Sequence, residues 1–131
     1  MFIKEQDKIL KKKHSKIKKK DGSVYWGPLK HNVKDGFGKL LKEDGEVYFG
    51  NFKEDLMNGK GNLLLANGDT YDGNFKDSLY NGKGCLYTRA TGEIYIGEFV
   101  CEMKYGKGQY FMKNNSTYLG NFKNDMFDGK G

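Results

Sequence analysis

The stretch EVYFGNFKEDLMNGKGNLLLANG, residues 46–68, contains the unit from which most of the chain is built. In it, Tyr48-x-Gly50 is followed nine residues later by Gly59-x-Gly61, and seven residues after that by Gly68. The Tyr-x-Gly pair recurs at steps of 23 or 24 residues, at Tyr25/Gly27, Tyr48/Gly50, Tyr71/Gly73, Tyr95/Gly97 and Tyr118/Gly120. All 19 glycines of the 131-residue chain fall on positions of this period, which indicates a repeat architecture.

Each unit divides into two segments that have the alternation of a β-strand. In residues 46–53, Tyr48, Gly50 and Phe52 share one face, because the side chains of a strand alternate with period two. Residues 59–65 form the second segment. Gly45 and Gly68 indicate tight hairpin turns between segments, and residues 54–58 are expected to form a longer link. The pattern predicts an all-β fold, a single elongated antiparallel sheet of tandem hairpins.

One face of this predicted sheet is regular from copy to copy. The fourth residue after each tyrosine is a second apolar side chain, namely Leu29, Phe52, Phe75, Phe99 and Phe122. Glycine normally weakens a strand, but a ring from a neighbouring position can cover the hollow that it leaves. We therefore expect a core made by stacking each copy on the next, completed by Leu40, Leu63, Leu86 and Tyr110.

The opposite face varies between copies and is the candidate surface for a protein partner. Its apolar members are Trp26, Phe49, Tyr87, Ile96, Phe111 and Leu119. A third row on this face carries Lys60, Lys83, Lys107 and Lys130. A solvated face with scattered apolar residues is the competing interpretation, and an edge or a loop are the other candidate binding sites.

Composition and motifs argue against several classes of protein. Glycine is too sparse for collagen, and 15% aromatic residues are too many for a flexible linker. No Gly-x-Gly here continues into a dinucleotide-binding or P-loop motif, and no nucleophile–base set has useful spacing, so we expect no catalytic residues and no cofactor. Cys85, Cys101 and two distant histidines do not form a metal-binding pattern, so we expect no metal.

These residues resemble the MORN (membrane occupation and recognition nexus) repeat family. The resemblance covers residues 25–131, in four complete copies and a fifth that stops at Gly131, and residues 16–22 align with a preceding half-copy. The first copy departs most, with Pro28 where later copies have Asn or Glu, so Pro28 is expected to mark the start of the sheet. The resemblance implies tandem β-hairpins and non-catalytic roles: scaffolding at cytoskeletal, ciliary or membrane-adjacent structures, and phosphoinositide binding.

Residues 1–20 form a basic arm in front of the repeat array, which spans residues 21–131. Residues 1–24 hold nine lysines against three acidic residues, which accounts for the entire net charge of +6. Ile3, Leu10 and Ile17 recur every seven residues, so the arm is expected to be a short helix or a flexible tail. Its candidate contacts to an anionic surface are Lys11, Lys12, Lys13, Lys16, Lys18, Lys19 and Lys20. Docking on an acidic protein, an anionic membrane, nucleic acid or no partner at all are its alternative roles.

The sequence thus favours a non-enzymatic scaffold that binds protein partners along its sheet, with binding of anionic phospholipids as the alternative. The absence of a signal-peptide run near the N-terminus predicts an intracellular protein. The resemblance to the MORN family implies a place in the cytoskeleton, the cilium or membrane-adjacent cytoplasm. Nucleic acid is a weak candidate partner. Because an open sheet edge attracts another strand, we also expect a partner chain or a second copy to cover the C-terminal edge of the sheet.

Overall fold

A computed structural model describes residues 16–129, and these residues contain thirteen β-strands and no helix. The strands are β1 (Lys16–Lys18), β2 (Val24–Trp26), β3 (Leu29–Lys30), β4 (Val33–Lys34), β5 (Gly36–Leu41), β6 (Val47–Lys53), β7 (Leu56–Leu64), β8 (Thr70–Lys76), β9 (Leu79–Thr88), β10 (Glu93–Val100), β11 (Met103–Phe111), β12 (Thr117–Lys123) and β13 (Met126–Asp128).

The strands form one long antiparallel meander. Eleven of them make a single sheet in chain order, in which β1 pairs with β2, β2 with β5, and each later strand with the next as far as β13. The strands β3 and β4 pair only with each other. The sheet does not close into a barrel, and this open array of hairpins confirms the predicted all-β architecture.

The core is a continuous ladder of aromatic rings on one face of the sheet, which we call the aromatic face. Each phenylalanine packs edge-on against the tyrosine of its own copy and the tyrosine of the copy before, with ring centroids 5.0–5.5 Å apart. The ladder runs through Tyr25, Phe52, Tyr48, Phe75, Tyr71, Phe99, Tyr95, Phe122 and Tyr118. Edge-to-face pairs add about 0.5–1.5 kcal/mol each beyond simple burial. The prediction that stacked copies make the core is confirmed.

The repeated glycines make room for the tyrosine rings of this ladder. They meet across the strands as one row, in which Gly50 lies between Gly38 and Gly61, and Gly97 lies between Gly84 and Gly108. A Cβ atom added to Gly61 would overlap with the ring of Tyr48. The Tyr48 hydroxyl donates a hydrogen bond of 2.8 Å to the carbonyl of Asn51, and every repeat tyrosine makes the equivalent bond. Glycine is required here because the ring occupies the space of a side chain.

Gly27 differs from the other glycines of the Tyr-x-Gly pairs, because it does not lie in a strand. The corresponding glycines of the later copies are inside β6, β8, β10 and β12, whereas β2 ends at Trp26 and Gly27 forms a bend in front of Pro28. The expectation that Gly27 occupies a strand position is therefore wrong, since the chain leaves the ladder one residue earlier. Gly27 is still buried, and a Cβ atom there would overlap with the Tyr25 hydroxyl and the Gly38 backbone, so it keeps the role of making room for a ring.

The connection within a copy is shorter than expected. Glu54 and Asp55 alone join β6 to β7, and both have positive φ (50° and 73°), as type I′ hairpin turns require. The predicted link over residues 54–58 is therefore wrong, because residues 56–58 already belong to β7. Each turn is also bonded to a strand of the preceding hairpin, since the Asp55 amide donates to the Lys34 carbonyl of β4 and the Ser78 amide to the Met57 carbonyl of β7.

The start of the array corrects three further expectations. A helix is not formed at residues 16–18, which make β1, and Ile17 packs against the aromatic core; residues 1–15 lie outside the described part of the chain. Pro28 does not begin the sheet but interrupts the first hairpin, because its nitrogen has no hydrogen to donate. Leu29 is 44% exposed rather than part of the core, since residues 1–24 contain no tyrosine for it to pack against.

Candidate functional site

The face opposite the aromatic core is the candidate binding surface, and we call it the groove face. Strand register arranges its side chains in three parallel rows that cross the sheet. The central row consists of Trp26, Lys39, Phe49, Asn62, Asp72, Cys85, Ile96, Gln109 and Leu119. The apolar row consists of Val24, Leu41, Val47, Leu64, Thr70, Tyr87, Ile94, Phe111 and Thr117. The third, the lysine row, contains Phe37, Asn51, Lys60, Asn74, Lys83, Glu98, Lys107 and Asn121.

The six apolar residues predicted for a partner surface all lie on this face. Trp26, Phe49, Ile96 and Leu119 belong to the central row, whereas Tyr87 and Phe111 belong to the apolar row. Four of them are well exposed, with 54% of Leu119, 45% of Ile96, 37% of Phe111 and 36% of Tyr87 open to solvent. Their concentration in the second half of the sheet gives this half an apolar surface that the fold itself does not use.

Phe49 departs from this pattern because only 7% of it is exposed. The ammonium group of Lys39 lies 5.2 Å from the Phe49 ring and 5.0 Å from the Trp26 ring, so that a cation–π pair covers this part of the face. Beside Phe49 lies a hollow of about 370 Å³ between the central and apolar rows, which Val47, Leu64 and Thr70 also line. Phe49 is thus the wall of a hollow rather than an exposed contact.

A β-bulge recurs beside each lysine of the lysine row. Between β6 and β7, Gly50 pairs with Gly61 and Phe52 pairs with Met57. One residue of β6 therefore lies opposite three residues of β7, 58–60. Gly59 adopts a φ of +85° in the bulge, and the first glycines of the next two Gly-Lys-Gly motifs, residues 82 and 106, have φ values of +93° and +69°. Each lysine lies two residues before a member of the central row, so the alternation of the strand places it on the groove face directly after the bulge.

A groove runs between the lysine row and the central row, and we call it the lysine groove. It comprises two adjoining hollows of about 640 and 470 Å³, which share Ile96 and Lys107 as lining residues. The backbone of the glycine row forms its floor, from Gly73 to Gly120. It therefore spans β7 to β12, a distance of about 24 Å at roughly 4.8 Å between strands.

Three ammonium groups and two carboxylates line this groove. Lys60, Lys83 and Lys107 are exposed, and none of their ammonium groups forms an ion pair within residues 16–129. Lys130, predicted for the same row, lies outside the described residues. Asp72 is one of two acidic side chains that line the groove, the other being Glu98. Burial, followed by the charge of Asp72, raises the pKa of the neighbouring Cys85 thiol, which makes that thiol a poor nucleophile.

The aromatic face holds charged pairs that sequence reasoning missed, and Lys34–Asp55 is more buried than the equivalent pair Lys104–Asp125. Lys34 is 7% exposed, and its ammonium group lies 2.7 Å from an Asp55 carboxylate oxygen and 5.6 Å from the Phe52 ring. Burial lowers the pKa of Lys34. Burial acts to raise the pKa of Asp55, but the hydrogen bonds and charge of Lys34 outweigh it and hold that pKa below its ordinary value. Aligning the repeat copies would have indicated that Lys34 is buried, because Lys34 occupies the position at which Met57 and Tyr80 enter the core.

The lysines predicted as contacts of the arm fall into two groups. Lys11, Lys12 and Lys13 lie outside the described residues. Lys16 and Lys18 are exposed on β1, opposite Trp26 and Val24, and Lys20 is exposed in the following turn. Lys19 is half-buried, and its ammonium group lies 3.8 Å from the Asp55 carboxylate. The role of these lysines in binding stays a prediction.

The described residues hold no metal-binding cluster and no membrane-spanning helix, and the last strand of the sheet has an exposed edge. Within residues 16–129 no group of three or more His, Cys, Asp or Glu side chains is placed to hold a metal ion. The same residues include no helix long and apolar enough to cross a membrane. At the far end of the described sheet, β13 pairs with β12, and Met126 and Phe127 are 71% and 53% exposed. Whether another chain covers that edge stays a prediction.

Comparison with known families identifies the repeat. The MORN repeat model matches residues 29–47, 48–70, 71–89 and 118–131, which together are more than half of the chain. No curated protein matches the chain. MORN repeats are known in scaffold and membrane-binding proteins, and the family is generally non-catalytic. With the hairpin array and the matched repeats in agreement, the chain belongs to the MORN repeat family.

Proposed function

We propose that this protein is a non-enzymatic scaffold that binds a protein partner along its groove face, within a cytoskeletal or ciliary assembly inside the cell. The observation that carries the proposal is the division of labour between the two faces of the sheet. The aromatic face is filled by its own ladder of rings, whereas the groove face exposes Ile96, Leu119 and Phe111 beside a groove of charged side chains. Apolar side chains rimmed by charged ones are typical of protein interaction sites.

A test of this proposal compares two double variants. In the first, Ile96→Asp and Leu119→Asp place charges in the exposed part of the central row. In the matched control, Leu56→Asp and Leu79→Asp change leucines that are 42% and 40% exposed at the starts of β7 and β9, outside the groove. Both pairs are exposed, so we expect both variants to fold and to melt close to the parent.

The immobilised chain is used to capture proteins from a cell lysate, and each captured protein is then purified and tested for direct binding. We expect the groove variant to lose its direct partner, while the control retains it, because burying an unpaired charge opposes association. A partner that binds the groove variant and the parent equally would show that the groove face is not the binding surface.

A second candidate function is binding to anionic phospholipids, and exposed lysines favour it. Three of them, Lys16, Lys18 and Lys20, are exposed at the start of the sheet, and the three lysines of the groove wall are exposed along its length. Each basic residue near an anionic surface contributes about 1 kcal/mol. Removal of the whole arm, residues 1–20, would damage the fold, because Lys16–Lys18 is a strand of the sheet. The role of the arm in lipid binding is therefore tested by deleting residues 1–15 only.

In a flotation assay with phosphoinositide vesicles, this alternative predicts that the parent floats and the shortened chain does not. A triple Lys16→Gln, Lys18→Gln, Lys20→Gln variant separates the lysines of β1 and its turn from those of the preceding segment. Failure of the parent to float would end the phospholipid hypothesis and would leave the scaffold proposal standing.

A further inference from the structure

The width, the floor and the charge spacing of the lysine groove limit which kind of peptide segment could bind in it. Its two walls are side chains two residues apart on each strand, which places them about 7 Å apart. An α-helix with its side chains measures about 10–12 Å across and does not enter such a groove, whereas an extended chain does. The groove crosses the strands, so a bound segment would lie roughly perpendicular to them.

The floor excludes recognition through strand addition. Gly73, Gly84, Gly97 and Gly108 are paired on both sides in the ladders of β8 to β12, so their amides and carbonyls face neighbouring strands. The Cβ positions of these glycines face the tyrosine rings on the opposite side of the sheet, so only backbone forms the floor of the groove. Specificity must therefore come from the two walls, one charged and one with apolar members.

The charged wall has a regular spacing. Lys60, Lys83 and Lys107 lie on every second strand, and their backbones are therefore about 10 Å apart along the groove. An extended polyproline II segment has three residues per turn and a rise of about 3.1 Å, so its every third side chain returns to the same side after about 9 Å. Acidic residues at every third position of such a segment would meet the three lysines in turn.

The opposite wall completes the description. It is formed by Asp72, Cys85 and Ile96 in the first hollow and by Ile96, Gln109 and Leu119 in the second. Apolar side chains of the segment would contact Ile96 and Leu119, whereas a polar one is required near Asp72. Glu98 stands between the second and third lysines of the lysine row, which disfavours a segment with acidic residues at every position.

We propose that the lysine groove binds an extended segment of a partner protein that carries acidic residues at every third position on one side and apolar residues on the other. This inference rests on the proposed scaffold function and names the chemistry of the partner. The bound segment spans about eight residues between β7 and β12, at about 3.1 Å per residue.

The test uses a fluorescein-labelled peptide of five Glu-Leu-Pro repeats, whose prolines favour the polyproline II conformation. The control peptide has five Gln-Leu-Pro repeats. Binding to the full chain is measured by fluorescence anisotropy at low and physiological salt. We expect saturable binding of the Glu peptide, weaker binding of the Gln peptide, and loss of affinity as salt is raised.

Two triple variants locate the binding site. Lys60→Gln, Lys83→Gln and Lys107→Gln remove the charges of the groove, and Lys53→Gln, Lys76→Gln and Lys123→Gln remove three exposed lysines at the ends of β6, β8 and β12 that do not line it. The groove variant should bind the Glu peptide about tenfold more weakly, and the control should bind it within about twofold of the parent. Melting curves check that both variants are folded.

Three outcomes would overturn the inference: no saturable binding of the Glu peptide, equal weakening by both triple variants, or lysine-dependent binding of anionic vesicles without peptide binding. The scaffold proposal is tested separately, because its capture experiment depends on Ile96 and Leu119. If the parent chain still captures a partner through Ile96 and Leu119 but does not bind the Glu peptide, the acidic-segment inference is rejected and the scaffold proposal stands.

Discussion

The two faces of this sheet are built from alternate residues of the same strands, yet they differ in what they require. On the aromatic face, Phe75 is 3% exposed and contacts rings of two copies, whereas on the groove face Ile96 is 45% exposed. A single-layer sheet can bury only one side by itself, so the repeat is constrained on that side and free on the other. Stability should therefore be concentrated on one face and recognition on the other.

Opening the aromatic ladder at its centre should cost the most stability. Phe75→Ala removes a ring that joins Tyr48 to Tyr71 and should lower the free energy of unfolding by about 3–5 kcal/mol. Ile96→Ala, on the groove face, should change it by about 0.5 kcal/mol or less. Urea unfolding followed by circular dichroism measures both, and similar losses for the two variants would contradict the division between faces.

A smaller loss is expected from a change in the glycine row, for which an adjacent residue of the other face is the control. In Gly61→Ala the new methyl group would overlap with the Tyr48 ring, which Phe52 and Phe75 hold in place, so a loss of about 1–3 kcal/mol is expected. Lys60→Ala, one residue earlier on the exposed wall of the groove, should be nearly neutral. Thermal melting compares them, and a higher melting temperature for Gly61→Ala would show that the ring can move aside.

The weakest of these effects should appear in the dependence of stability on pH. Because the folded-state pKa of Asp55 is held below its ordinary value of 3.8, its contribution to stability is present above that value and is lost as pH falls through the lowered pKa. Asp55→Asn should therefore flatten the loss of stability below about pH 4. Asp72→Asn is the groove-face control, since the Asp72 carboxylate forms no ion pair or hydrogen bond within residues 16–129. Equal flattening by both variants would argue against the role of the Lys34–Asp55 pair.

Most positions on the aromatic face follow from the alternation of side chains along single strands. The residues that the sequence analysis places wrongly are those whose position depends on adjacent strands or copies. The period of Tyr48-x-Gly50 predicts both the strand and the face, because alternation fixes which side chains point together. The two-residue turn at residues 54–55 was missed because positive φ is expected at glycine or asparagine, and here the flanking strands impose it on acidic residues. Leu29 departs from the predicted core because burial at this position depends on an earlier tyrosine ring, and residues 1–24 contain no tyrosine. Gly27 was placed in a strand because it matches the repeat, but the bend before Pro28 ends β2 ahead of it.

Spacing along single strands was enough to specify the repeat, the sheet, the aromatic core and the side of the sheet on which variable residues lie. It left open which variable residues become neighbours, and that depends on the tertiary structure. Cross-strand register placed Phe49 against Lys39, and it set the lysine row and Ile96 on opposite sides of one groove. Register is a property of strand pairs, so cross-strand neighbours such as Phe49 and Asn62, or Ile96 and Cys85, meet only after the chain has folded.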